Sequence, residues 1–234
     1  MRRGGLLSRF MDHTFSNRLL LVPLFQGFSR LDFLDIVEKT PFDFRTLKPK
    51  EVIVRQGDES HRLCILLGGE VECESDSPEH TYRIKESIHA PWVMQPDCLF
   101  GLHNTYRYTV RSLVASQLVM LDKQSMCRLL MQYPAFQINF YNMLSTVAQH
   151  ASSLLWLKRA ETERERFIMF LHRRCLRPIG NKKLYIRMED LAKELGTTRL
   201  RVSRMLLSMS QDGLLDYSRG IITIPALEKL NVNV

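Results

Sequence analysis

Thr198, Arg199, Arg201 and Arg204 are the residues whose types and spacing best suit chemistry with a partner. Guanidinium groups on one helix face can hold phosphate oxygens, and their planar fork fits guanine O6 and N7 bidentately. No acidic residue lies between Glu194 and Asp212, so these arginines have no partner nearby in sequence. Catalysis is not expected: the chain shows no nucleophile elbow, phosphate loop, metal-ligand pair or matched carboxylates.

The stretch Met188 to Leu215 must position the arginines. Leu191, Ala192 and Leu195 share one face of a first helix, and Gly196 suits the left-handed turn that ends it. Thr198 caps a second helix, Arg199 to Gln211, whose residues Val202, Met205, Leu206 and Met209 recur at helical spacing and predict a buried face. Leu214–Tyr217 and Ile221–Ile224 read as two strands around a turn at Ser218, Arg219 and Gly220. The pattern is a helix-turn-helix followed by a wing, with Arg219 at the tip.

Charge points the same way. Residues 1–133 hold 17 Lys/Arg against 16 Asp/Glu, whereas residues 134–234 hold 16 against 9. Arg166 to Arg187 contains seven basic residues and no acidic one. A basic excess confined to the segment with the helix-turn-helix is the electrostatic footprint of nucleic-acid binding. No apolar run is long enough to span a bilayer, and the basic N-terminus lacks a signal peptide's apolar core, so a cytoplasmic protein without a membrane partner is expected. The five cysteines form no CxxC pair, which suits reduced, mostly buried thiols.

The rest of the chain is organised ahead of this segment. Residues 1–16 form an N-terminal extension. Ser29 caps a short helix stopped by Pro41, with Leu31, Phe33, Leu34 and Val37 as its packing face. From Phe42 to Leu121 the period is two, with short strands between turn residues, as in a sandwich or jelly roll. Lys123–Gln132 is a helix ended by Pro134, and a long helix follows from Ala135 to about Lys158. Phe136, Phe140, Leu144, Val147, Ala148, Ala151, Leu154 and Leu155 form a seam along it. A helix of that length often pairs with its own copy in a dimer, which makes Phe140, Leu144, Val147, Ala148, Ala151 and Leu155 the candidate dimerisation residues. Glu161 to Arg166 is a charged break, and Thr162 caps a further helix, Phe167–Cys175. The expected division is 17–133 for the β-domain, 134–160 for the long helix and 161–234 for the winged helix-turn-helix.

A β-roll, a long helix, a charged break and a winged helix-turn-helix, in this order, resemble the Crp/Fnr family of bacterial transcription regulators over residues 20–225. Lys48-Pro-Lys-Glu-Val-Ile-Val-Arg-Gln-Gly-Asp-Glu is similar to the family's first roll strands, Leu67-Gly-Gly-Glu-Val to its second glycine turn, and Thr198-Arg-Leu-Arg-Val-Ser-Arg to its recognition helix. The implied fold is α+β: an N-terminal double-stranded β-helix (a jelly roll of cyclic-nucleotide-binding type) as sensor domain, a long dimerisation helix and a C-terminal winged helix-turn-helix. The implied partners are double-stranded DNA and a second copy of the chain, with RNA polymerase added if the output is activation. By this resemblance Arg199 and Arg204 would reach base edges, Thr198, Arg201 and Arg219 would hold phosphates, and Leu200 would make an apolar base contact where the family often has Glu.

The same resemblance frames the effector. Gly101, Leu102, His103 and Arg107 are the candidate effector pocket. Leu102 stands where cyclic-nucleotide-binding members carry the Glu that accepts from the ribose, and the segment is about six residues short, so cyclic AMP is not the expected effector. Residues 1–63 contain no cysteine for an iron–sulfur cluster, and Cys98 with His103 is a thin basis for haem. The effector is therefore unassigned. A rival reading makes the roll a ligand-binding regulatory module acting on a protein partner, which leaves the basic winged helix without a purpose.

Overall fold

The computed structural model describes residues 13–156 and 160–230. Most of the proposed N-terminal extension, and the stretch 157–159 at the end of the proposed long helix, lie outside the described residues. The chain divides into two compact units. The first takes in residues up to Val71 with Ile88–Arg107 and Arg111–Gln149, and the second takes in Glu72–Ser87, Tyr108–Val110 and His150 onward.

The first unit holds a four-stranded antiparallel sheet with its helices. It begins with α1 (His13–Leu20) and α2 (Arg30–Lys39), continues through β1 (Asp43–Leu47), β2 (Val52–Val54), β3 (Arg62–Gly68) and β6 (Trp92–Met94), and ends with β8 (Ser116–Asp122), α3 (Lys123–Gln132) and α4 (Pro134–Ser153). Four of the strands pair in the order β1-β8-β3-β6. Period two sorts β3 onto two faces. Ile65 sits opposite both Val93 and Val119, and these residues pack with Leu19, Phe33, Phe136 and Phe140 of the helices. Cys64 sits opposite Met94 and Met120, and Leu66 opposite Leu118, so the other face of the sheet is filled by apolar and sulfur-bearing side chains. The chain then turns at Gly69, where φ is +95° and a Cβ would strike Ser116; only glycine fits.

Local signals hold in the helices, but two packing faces differ from expectation. Ser29 and Asp32 form a reciprocal capping box at the start of α2. The buried face of α2 is Phe33, Ile36 and Val37, whereas Leu31 and Leu34 are 79% and 46% exposed. Three apolar residues in four positions match more than one helix face, and the neighbouring sheet selects between them. The long helix α4 ends at Ser153, so Leu154 and Leu155 follow it in a turn. Phe136 and Phe140 are buried in the core of their own unit, and the Phe140 ring lies 6.1 Å from that of Phe100. Phe140 therefore packs inward and is not a dimer contact.

The second unit carries the winged helix. Its elements are β4 (Glu70–Asp76), β5 (Tyr82–His89), α5 (Glu163–Arg174), β9 (Lys182–Ile186), α6 (Met188–Glu194), α7 (Arg199–Gln211), β10 (Asp216–Ser218) and β11 (Ile221–Ile224); the remaining strand of the chain is β7 (Thr109–Ser112). Glu161 and Thr162 lie between the helices, but the break is shorter than the sequence suggests, since Glu163 to Arg166 are helical. Thr162 and Glu165 close a capping box, and the charged residues make the first turn of α5. Strands run in the order β10-β11-β9-β5-β4. Ile84 of β5 sits opposite Leu184 of β9 and enters the same core as Phe167, Leu171, Leu191, Val202 and Leu206. Burying such a side chain contributes about 1.5–3 kcal/mol. Glu86 faces Lys182 in the same pairing, with Lys182 Nζ 2.6 Å from Glu86 Oε2 and both residues almost fully buried.

Candidate nucleic-acid interface

The turn between α6 and α7 is built by Gly196, at φ +61°, and Thr198. The Gly196 and Thr197 amides donate to the carbonyls of Lys193 and Ala192, closing the end of α6. Thr198 is extended, and its Oγ1 accepts from the Arg201 amide at 3.4 Å, so its side chain caps α7. Leu191, Ala192 and Leu195 of the first helix are buried, as are Val202, Met205, Leu206 and Met209 of the second. That burial orients α7. Thr198, Arg199, Leu200, Arg201 and Arg204 are all exposed at its N-terminal half, as the sequence pattern predicts. Leu200 is 60% exposed. At the wing, Ser218 pairs with Ile221, so the connecting turn is just Arg219 and Gly220, both at positive φ. Arg219 is exposed at the tip.

The arginines are not without partners. Arg201 Nη1 lies 3.2 Å from Glu163 Oε1 of α5, and Arg199 Nη1 lies 3.9 Å from Glu189 Oε1 of α6. The acid-free stretch 195–211 supplies no partner, as expected; the partners come from other helices. Among the described residues, Arg204 and Arg219 make no ion pair. The basic run from Arg166 to Arg187 is likewise partly neutralised, because Arg174 meets Glu194 at 2.7 Å, Lys182 meets Glu86, and Arg187 meets Asp190 at 2.6 Å. The Arg187 hydrogen bond holds the Asp190 carboxyl below the usual range, with Lys193 adding to it. The Glu163 carboxyl is also held low, first by its own backbone N–H and then by nearby Arg201 and Arg166. Arg174 is stacked over Phe170 at 4.1 Å and donates to the Tyr82 hydroxyl at 2.6 Å, so it braces α5 rather than facing a partner.

The remaining candidates fare differently. Gly101, Leu102 and His103 are exposed, and Leu102 is 95% so; they line no inward face. Arg107 is tied to the Asp97 carboxylate at 2.7 Å, and its amide donates to Gln95 Oε1. Cys98 is buried, and desolvation raises its thiol's pKa. Of the candidate dimer residues, Leu144 and Val147 are half-buried while Ala148, Ala151 and Leu155 are exposed. Ala148 belongs to an exposed row on α4 whose other members, Ile138, Tyr141, Ser145 and Ser152, sequence reasoning missed, although the alternating three- and four-residue spacing was legible beside the stronger apolar seam.

A β-sandwich and a long helix ahead of a winged helix-turn-helix with an arginine-bearing second helix define a DNA-binding regulator. Two family models match the chain, the cyclic nucleotide-binding domain over residues 44–133 and the Crp-like helix-turn-helix domain over residues 151–232. The chain belongs to the Crp/Fnr family of transcription regulators. Among solved structures, the catabolite activator protein of Thermus thermophilus is 21% identical, with 89% of this chain and 96% of that one covered and a TM-score of 0.53, which shows the shared fold. A transcriptional regulator of Thermotoga maritima is 17% identical over 53% of this chain and 95% of that one, at a TM-score of 0.47. The c-di-GMP responsive global regulator CLP of Xanthomonas campestris is 16% identical over 82% and 97%, also at 0.47. Comparison with curated proteins finds no match. Among the described residues no helix is long and apolar enough to cross a membrane.

Proposed function

We propose that the protein is a homodimeric regulator working in the cytoplasm, that it reads a two-fold symmetric DNA site through α7, and that it does so without cyclic AMP. The observation that carries this is the exposed row Arg199, Leu200, Arg201 and Arg204 over a helix whose opposite face is buried. Arg204, with no ion-pair partner among the described residues, is the better base reader, and Arg199 reads a second base. Thr198, Arg201 and Arg219 hold phosphates and set the register. Leu200 offers only an apolar contact, which suits a thymine methyl.

Dimerisation goes through the exposed face of α4. Ile138 and Tyr141 are 56% and 50% exposed there, and Ser145, Ala148 and Ser152 continue the row. Small residues in such a row let two helices approach closely. Independence from cyclic AMP is supported by Leu102 at the position of the ribose-binding Glu and by the engagement of Arg107 with Asp97. The reading is tested by selecting bound sites from random duplex DNA with the purified protein and no added ligand. An inverted repeat with half-sites about 34 Å apart is expected. Recovery of an ordered site only when cyclic AMP is added would overturn the ligand independence, and recovery of a single unrepeated half-site would overturn the dimer.

A further inference from the structure

Glu163 opens α5, where its own backbone N–H favours its carboxylate, but it is not part of the core or of the capping box. Thr162 and Glu165 make the capping box, and Glu163 instead reaches across to Arg201 of the recognition helix at 3.2 Å. Its side chain is 31% exposed against 66% for Arg201. The pair lines a groove of about 540 Å³ between α5 and α7, together with Thr162, Arg164, Arg204 and Ser208 among others. Arg164, on the same side, is held by Asp212 at 3.1 Å.

We propose that Glu163 is an internal competitor for DNA phosphate, a carboxylate that occupies Arg201 in the free protein and must give it up when α7 engages a duplex. This rests on the reading of α7 as the recognition helix. Carboxylate and phosphate bind a guanidinium through the same donors, so Arg201 exchanges one anion for another on binding. The released Glu163 carboxylate then stands beside the phosphate, keeping its own backbone N–H and nearby Arg166 but without the Arg201 guanidinium. Glu163 thereby weakens DNA binding overall and limits its salt dependence. Because a phosphate contact carries no sequence information, the effect falls equally on specific and non-specific duplex. The residue keeps the protein off bulk DNA without altering which site it prefers.

The test compares the full-length protein with Glu163→Gln, alone and combined with Arg201→Ala, on the selected site and on a scrambled duplex over a salt series. Glu163→Gln is expected to bind both duplexes about threefold to tenfold more tightly at low salt, with the slope of log affinity against log salt steeper by up to about 0.9. In the Arg201→Ala background the same substitution should change nothing in DNA binding, and thermal melting of the single variant should fall only slightly, because the capping box is intact although the carboxylate at the helix N-terminus is lost. Unchanged or weaker binding by Glu163→Gln overturns the proposal. So does an equal gain in the Arg201→Ala background, which would be an ordinary long-range charge effect. A gain confined to the selected site would make Arg201 a base reader and also overturns it. If neither protein binds either duplex at low salt, the reading of α7 itself fails, and that result is distinguishable from the others.

Discussion

Replacing Lys182 by methionine should destabilise the second unit by about 3–5 kcal/mol, because it leaves a buried carboxylate without its counter-charge. Lys182 is 2% exposed and Glu86 5%, and they meet at 2.6 Å. Lys182 Nζ also donates to the Ile179 carbonyl at 2.8 Å, and Glu86 accepts from the amides of Leu176 and Arg177. Methionine nearly matches the lysine stem in volume, so packing loss is small and the cost is electrostatic. The two remaining amide donors soften the penalty, which places the expected value nearer about 3 than 5 kcal/mol. Glu86→Gln combined with Lys182→Met removes both charges and keeps an acceptor for one of the two amides. The double variant should recover most of the loss, giving a coupling of about 2–3 kcal/mol. Urea unfolding followed by circular dichroism measures the totals, and hydrogen exchange of the β5 and β9 amides localises them. A single variant within about 1 kcal/mol of the wild type, or strictly additive losses in the double, would refute a desolvated pair joining these strands.

Three further outcomes follow from the same structure. Arg204→Ala should cost roughly 1–3 kcal/mol on the selected DNA site and little on a scrambled one; equal binding of the wild type to both duplexes would sink the assignment of a base reader. Ile138→Glu should give a monomer by sedimentation with its melting preserved, whereas Phe140→Ala should lower stability by about 3–5 kcal/mol through a core cavity; a monomer from Phe140→Ala at unchanged stability would reverse the two roles. Titration of native thiols should show one fast cysteine, the exposed Cys127, because Cys64, Cys73, Cys98 and Cys175 are buried and desolvation pushes Cys64 up to about 11; two or more fast thiols would show that the cores open readily.

Much of the proposed interface was legible from residues close together in the chain. The α6–α7 turn, the Thr198 cap, the exposed arginine row and the tight wing turn are local matters, decided by the left-handed preference of glycine, a hydroxyl within reach of a free N–H, and helical spacing. The capping boxes at Ser29 and Thr162 are local in the same way, although the second moved the start of α5 back into a stretch that had read as a break. The family and its fold were legible too, because several such local patterns occur in register along one chain.

Tertiary structure decided what depends on neighbours far away in sequence. Periodicity shows that a helix has an apolar face, but not whether that face meets its own sheet or another copy, and so Phe140 reads as an interface residue until the sheet buries it. Charge counts show a basic segment, but not that Glu163, Glu189, Glu194 and Glu86 come back to neutralise parts of it. The placement of Ile84 and Glu86 against the winged helix rests on an edge-to-edge pairing of β5 with β9, and strand pairing leaves no mark in either strand's own sequence. Short-range backbone and capping energies are written into a few adjacent residues. The choice of partner for a buried face or a charge is made only when the whole chain has folded.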